Sequence, residues 1–183
     1  MDNTLPHPIP LNTTWQPVAT CQAPRAVCSW LSDPGSLTEK LKTLRGEFSV
    51  HLLGQTEGLA QAHEYAALGI AEQPVLIREV ILFSGKAPLV FARSIIPFRA
   101  LAHDSEFVQL GNNPLGERLF KSSDIQAGAI EAGQFSKDTP VAELDRLLQG
   151  DRIELWGRRR CFYLVETPIL VAEVFLSNAP CYA

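Results

Sequence analysis

VLIREVILFSGKAPLVFARSII, residues 75–96, decides the architecture. Two β-rich arms, Val75–Phe83 and Leu89–Ile96, flank SGKAP, whose Gly85 and Pro88 are turn residues, so the stretch predicts an antiparallel hairpin. Period-two alternation puts Leu76, Arg78, Val80 and Leu82 on one face of the first arm, and Ile77, Glu79 and Ile81 on the other. Arg78 is therefore a charge in mid-strand among leucine and β-branched side chains. Arg93 repeats the oddity in the second arm.

Outward from this hairpin, CFYLVE (161–166), a turn at Thr167–Pro168 and ILVAEVFL (169–176) predict a second one. ETPILVAEVFL, Glu166–Leu176, reads as a buried strand interrupted by Glu173, and a lone carboxylate there costs several kcal/mol unless it is partnered. FSVHLLGQ, Phe48–Gln55, alternates as a further strand, while AHEYAALGI that follows fits no single element. SDPGSLTEKLKTLRG carries a capping box, Ser36 with Glu39, ahead of Leu37, Leu41 and Leu44 at helical spacing, with Gly46 as a stop. NNPLGERLF predicts a short helix with Asn113 as N-cap and Pro114 in the first helical position. PVAELDRLLQG, residues 140–150, is another amphipathic helix closed by glycine. Residues 1–20, rich in Pro, Thr and Asn, read as an arm lying on the surface or frayed, and 21–183 as one α+β domain around an antiparallel sheet.

The 183 residues, 46% apolar and 20% charged, suit an ordinary globular protein with a sizeable core. A net charge of −4, with no basic block beyond Arg158–Arg160, argues against a nucleic-acid or anionic-membrane surface. No apolar run reaches the ~18 residues of a membrane span, and the N-terminus lacks the basic-then-apolar pattern of a secretion signal. Cys21, Cys28, Cys161 and Cys181 have none of the paired spacings of a zinc site, and His51, His63 and His103 share no metal-ligand spacing. A cytoplasmic monomer with reduced thiols and no metal is the expectation. There is no G-x-S-x-G nucleophile elbow, and GNNPLG is not a phosphate loop.

Two accounts fit the mid-strand charges. In one, Arg78, Arg93, Glu79 and Glu173 pair with one another inside the sheet, or one face is wet. In the other, they line an enclosed site for a polar ligand, with an arginine on its carboxylate and a glutamate on its hydroxyl. Leu37 and Leu115, each in a first helical turn, would add unpartnered backbone N–H groups. WGRRR is either a solvated edge or an internal ion-pair cluster.

Together LIREVILFSGKAPLVFARSIIP, NPLGERLFKSSDI, LWGRRRCF, LVAEVFL and WLSDPGSLTEKL resemble the chorismate pyruvate-lyases of ubiquinone synthesis, in the same order and over most of the chain from Trp30. The resemblance implies cofactor-free cleavage of chorismate to 4-hydroxybenzoate and pyruvate on an antiparallel sheet with helical flaps. It implies that Arg78 and the backbone N–H groups of Leu37 and Leu115 hold the ring carboxylate, and that Glu173 faces the 4-hydroxyl. Leu37 stands where the family would have methionine, which is neutral if only its N–H is used. Glu173 could be a general base or could orient the hydroxyl while the proton passes directly to the enolpyruvyl methylene. Arg93 is the candidate for the second carboxylate. One departure is SKDTPVAELDRLLQGDRI, a segment longer than expected between Glu131 and Trp156. Two other readings stay open. One is a non-catalytic effector-binding domain, which in regulators of this fold is fused to a helix-turn-helix that this length and charge do not accommodate. The other is an inactive lyase relative.

Overall fold

The computed structural model describes residues 5–183. Its strands are β1 Gln16–Pro17, β2 Phe48–Gly58, β3 Val75–Ser84, β4 Ala87–Pro97, β5 Ile125–Ala127, β6 Glu131–Ser136, β7 Glu154–Leu164 and β8 Thr167–Phe175. They form one antiparallel sheet in the order β1-β6-β7-β8-β4-β3-β2, with β5 also on β7. The α-helices are α1 Arg25–Leu31, α2 Leu37–Lys42, α3 Ala62–Leu68, α4 Phe98–His103, α5 Leu115–Lys121 and α6 Pro140–Leu147. The expected α+β architecture holds, and both hairpins, β3–β4 and β7–β8, are present. They meet along a seam where β4 pairs with β8.

Local chemistry explains where the boundaries moved. The first hairpin turns at Gly85–Lys86, with Gly85 at φ 59°, a value that favours glycine. The second turns at Val165–Glu166, not at Thr167–Pro168. Pro168 lies inside β8, opposite Tyr163, and is tolerated because β4 begins to pair with β8 only at Leu170. AHEYAALGI is the helix α3, started by a reciprocal Gln61–Glu64 capping box and stopped by Gly69 at φ 67°. α5 begins at Leu115 with Pro114 as its extended cap, one residue later than expected, so Asn113 lies wholly outside it. β2 runs to Gly58 rather than Gln55.

Both faces of the sheet are buried, and each carries a charged belt between two apolar clusters. On the far face, Ile81, Phe91 and Val174 belong to one cluster, and Ile77, Ile95 and Leu170 to another beneath α3. Between them Arg93, 2% exposed, is held by two carboxylates. Glu64 of α3 accepts from its Nε at 2.7 Å and Nη2 at 3.0 Å, and Glu79 accepts from its Nη1 at 2.6 Å. Glu79 also accepts the Ile9 N–H at 2.8 and 3.0 Å and contacts His7 Nδ1 at 2.7 Å.

That contact corrects the reading of residues 1–20 as a surface or frayed arm. Ile9 and Leu11 are buried in the far-face core, Trp15 meets Phe135 edge-on, and β1 pairs with β6. Residues 1–4 of that arm lie outside the described residues. The long segment before Trp156 supplies α6, whose Val141 and Leu144 pack into the same far-face cluster.

The near face is covered by two helical lids. α1 and α2 pack on Val80, Leu82 and Val90, and α4 and α5 pack on Leu76, Ile96 and Ile169. Because Glu64 completes the far belt, its removal leaves the buried Nε and Nη2 of Arg93 without acceptors, with Glu79 as the remaining carboxylate. Glu64→Ala is expected to lower unfolding stability in urea by about 3–5 kcal/mol.

Candidate active site

Strand register places the near belt. Arg78, Ser94, Val171 and Arg160 face one another across β3, β4, β8 and β7, and Val80, Ala92, Glu173 and Arg158 form the adjacent row. These rows floor a cavity roofed by Leu37 and Thr38 of α2 and by Leu115, Gly116 and Leu119 of α5. On the far side of this floor Gly157 lets β7 lie close to β8, since a Cβ would lie 2.9 Å from the Glu173 carbonyl oxygen and 3.1 Å from the Phe135 ring.

Arg78 is 1% exposed and has no carboxylate partner among the described residues. Its Nη2 donates to the carbonyls of Gly111 at 2.8 Å and Asn113 at 2.9 Å, in the loop leading into α5. Its buried Nε finds no acceptor, and Nη1 is the amino group left for a ligand. Burial pushes the guanidinium down to about 10, so it remains a cation at neutral pH and carries an uncompensated desolvation cost. A two-pronged grip through Nη2 is therefore closed, because two carbonyls already occupy that nitrogen.

Glu173 stands at the other end, its side chain 19% exposed. Oε2 accepts from Arg158 Nε at 2.8 Å, while Oε1 has no partner among the described residues. Arg158 Nη1 in turn donates to Trp30 O at 3.1 Å and Asp33 O at 2.6 Å, which ties the α1–α2 lid to the sheet. Leu37 and Leu115, both buried, open their helices above this space, so their N–H groups precede the first intrahelical bonds. The lids touch: Lys42 pairs with Glu117, and a Cβ on Gly116 would lie 3.2 Å from Thr38 Oγ1.

Of the residues singled out in the sequence, Arg78, Glu173, Leu37 and Leu115 come together, and Arg93 does not. A bulge between Leu82 and Phe83 in the β3–β4 ladder sets Arg93 opposite Glu79, on the far face, where two carboxylates saturate it. Pairing among the mid-strand charges is thus right for Arg93 with Glu79 and wrong for Arg78. Sequence reasoning missed Ser94, Thr38, Arg158 and Arg160 in the cavity wall. Alternation along WGRRR, anchored on Arg158 opposite Glu173, is the signal that finds the two arginines. Arg159, between them, points to the far face and pairs with Glu131 at 2.7 Å. Among the described residues, no group of three or more His, Cys, Asp or Glu could hold a metal ion, and no helix is long and apolar enough to cross a membrane.

The site is thus an antiparallel sheet under helical lids, with a guanidinium held by carbonyls at one end and a carboxylate at the other. The fold is that of bacterial effector domains. The effector domain of PhnF from Mycobacterium smegmatis superposes with a TM-score of 0.61 at 16% identity, over 79% of this chain and 90% of that one. The ligand-binding domain of a GntR-family regulator from Bordetella bronchiseptica gives 0.56 at 20% identity, over 75% and 89%. The sequence is more specific. The chorismate lyase family model matches residues 9–183, and the chain belongs to that family. A probable chorismate pyruvate-lyase of Idiomarina loihiensis is 38% identical over 177 residues, 96% of this chain and 91% of that protein. Another from Pseudoalteromonas atlantica is 36% identical over 189 residues, 100% of this chain and 96% of its own length.

If Arg78 is the carboxylate anchor, Arg78→Ala should weaken benzoate binding by about 2–5 kcal/mol in calorimetry. Arg78→Lys should recover only part, since an ammonium cannot serve ligand and loop carbonyls in one plane. Melting curves of both variants separate lost binding from lost folding.

Proposed function

We propose that the protein eliminates pyruvate from chorismate to give 4-hydroxybenzoate, the step that commits chorismate to ubiquinone. The observation that carries this reading is the unpaired Arg78 facing Glu173 across an enclosed, largely apolar cavity. A 4-hydroxybenzoate has the same polarity: a carboxylate at one end, a hydroxyl at the other and a ring between.

In the reaction the C3–O ether bond of chorismate breaks, the C4 proton leaves and the ring becomes aromatic. The enolpyruvyl fragment gains a proton at its methylene and departs as pyruvate. Aromatisation supplies the driving force, so the protein's task is to hold one conformer and exclude water. Arg78 and the helix starts at Leu37 and Leu115 would fix the ring carboxylate. Glu173 Oε1, without a partner among the described residues, would meet the C4 substituents, as base or as orienting acceptor. No step calls for a metal or an organic cofactor.

We assign the catalytic unit to residues 21–183, with the N-terminal stretch covering the far face. One copy contains every group named, so a monomer suffices. The four free thiols suit a reducing, cytoplasmic setting. The same fold in effector domains keeps a non-catalytic binder as the second reading. Incubation with chorismate in the presence of a strong chelator decides between them. Appearance of 4-hydroxybenzoate and equimolar pyruvate is expected, and unchanged chorismate would sink the lyase assignment. Glu173→Gln keeps the shape of the site. A fall in kcat of about 10²-fold or more marks a general base, and a small one marks orientation.

The lids predict the rate-limiting step. With Gly116 against Thr38 and Lys42 on Glu117, product can leave only when the lids part. A burst of 4-hydroxybenzoate before a slower steady state is expected in rapid-quench kinetics, and equal rates would place the limit in the chemistry.

A further inference from the structure

The near belt holds more positive charge than a benzoate needs. Arg78, Arg158 and Arg160 line the cavity, with Glu173 as the one carboxylate in its wall among the described residues. Arg158 is matched by Glu173, and Arg78 lies at the ring-carboxylate end. Arg160 remains. Its acceptors are all neutral carbonyls: Nε and Nη2 donate to Gly128 O at 3.2 and 2.9 Å, and Nη1 to Pro34 O at 3.0 Å. A guanidinium has five N–H donors, so one hydrogen on each terminal nitrogen is unused.

We propose that Arg160 binds the second carboxylate of the substrate, the one on the departing enolpyruvyl group. The inference rests on the lyase reading above and adds the residue that tells substrate from product. Its basis is position. Arg78 and Arg160 are the ends of one cross-strand row, three strand steps or roughly 14 Å apart at the backbone. Glu173 is in the next row, on the strand adjoining Arg160. With the ring carboxylate on Arg78 and C4 at Glu173, the ether oxygen on neighbouring C3 must project to one side of Glu173. On the β4 side lie Ala92 and Ser94, which carry no charge; on the β7 side lie Arg158 and Arg160. Arg93, the cation expected for this task from the sequence, is locked on the far face. Burial first, and then the neighbouring Arg158, hold the Arg160 guanidinium below its ordinary range, with the attraction of Glu173 as a smaller opposing effect. Elimination turns a dicarboxylate into a monocarboxylate plus pyruvate, so this contact exists for substrate and is lost to the retained product.

Arg160 also braces Pro34 in the α1–α2 lid, and the test must separate the two roles. Steady-state kinetics with chorismate, and inhibition by 4-hydroxybenzoate in the same assay, are measured for the full chain, R160Q and R160K. The subsite predicts that R160Q raises KM for chorismate by about tenfold or more, with the inhibition constant of 4-hydroxybenzoate within about twofold of the parent. R160K should regain part of the loss in KM. Parallel weakening of both ligands in R160Q would mean a brace and overturn the proposal, as would an unchanged KM. Parent protein that fails to turn over chorismate overturns the lyase reading instead. The subsite is then judged by calorimetry of chorismate against 4-hydroxybenzoate, where selective loss of chorismate in R160Q upholds it and equal loss refutes it.

Discussion

Arg93, clamped between Glu64 and Glu79, is the constraint on which the rest of the molecule depends. A sheet covered on both faces gains apolar burial, but its central strands then have no water for a charged side chain. The far belt resolves this with a guanidinium that spends its Nε and both terminal nitrogens on carboxylates, further tied by the Ile9 N–H. Helix α3, the N-terminal stretch and the sheet are thereby pinned at one point. The cavity floor on the other face is the reverse side of that pinned region, so the same strands that carry the clamp carry the site.

The near belt has the same ingredients in a different balance. Arg78 has carbonyls where Arg93 has carboxylates, which orient the side chain without cancelling its charge. The cost of desolvating that cation is incurred on folding, and a ligand carboxylate offsets it on binding. Arg158 joins Glu173 to the carbonyls of Trp30 and Asp33, so the carboxylate and the first lid share one support. Ground-state order of this kind suits a reaction that supplies its own driving force and needs mainly a fixed geometry.

Much of this was legible in the sequence because it is periodic or local. Alternation revealed Arg78 and Glu173 as charges on apolar strands, capping chemistry located α2, and the motifs from Trp30 onward carried the family. Long-range pairing was not legible. Glu64 sits in a segment whose weak pattern concealed a helix, and its partner is 29 residues away. The face of Arg93 turns on a single extra residue. The ladder runs Ser84 to Ala87 and Phe83 to Pro88, then skips Leu89 and resumes at Leu82 with Val90. Without that bulge Arg93 would lie opposite Arg78 and enter the cavity. No propensity scale reports such a slip, and the same blindness to register hid Arg158 and Arg160.

The seam between the two hairpins has a further consequence. Arg78 and Ser94 belong to β3–β4, whereas Glu173, Arg158 and Arg160 belong to β7–β8, so neither hairpin contains a site by itself. What joins them in the chain is the long connection from Pro97 to Glu154, which makes both the second lid and α6. Closure entropy rises only with the logarithm of loop length, so such a connection can lengthen at little thermodynamic cost. α6 packs on the side of the sheet away from the cavity. Length can therefore be added to or removed from this connection on its outer side, while Ser94 and Glu173 keep their places through the β4–β8 pairing that joins the hairpins.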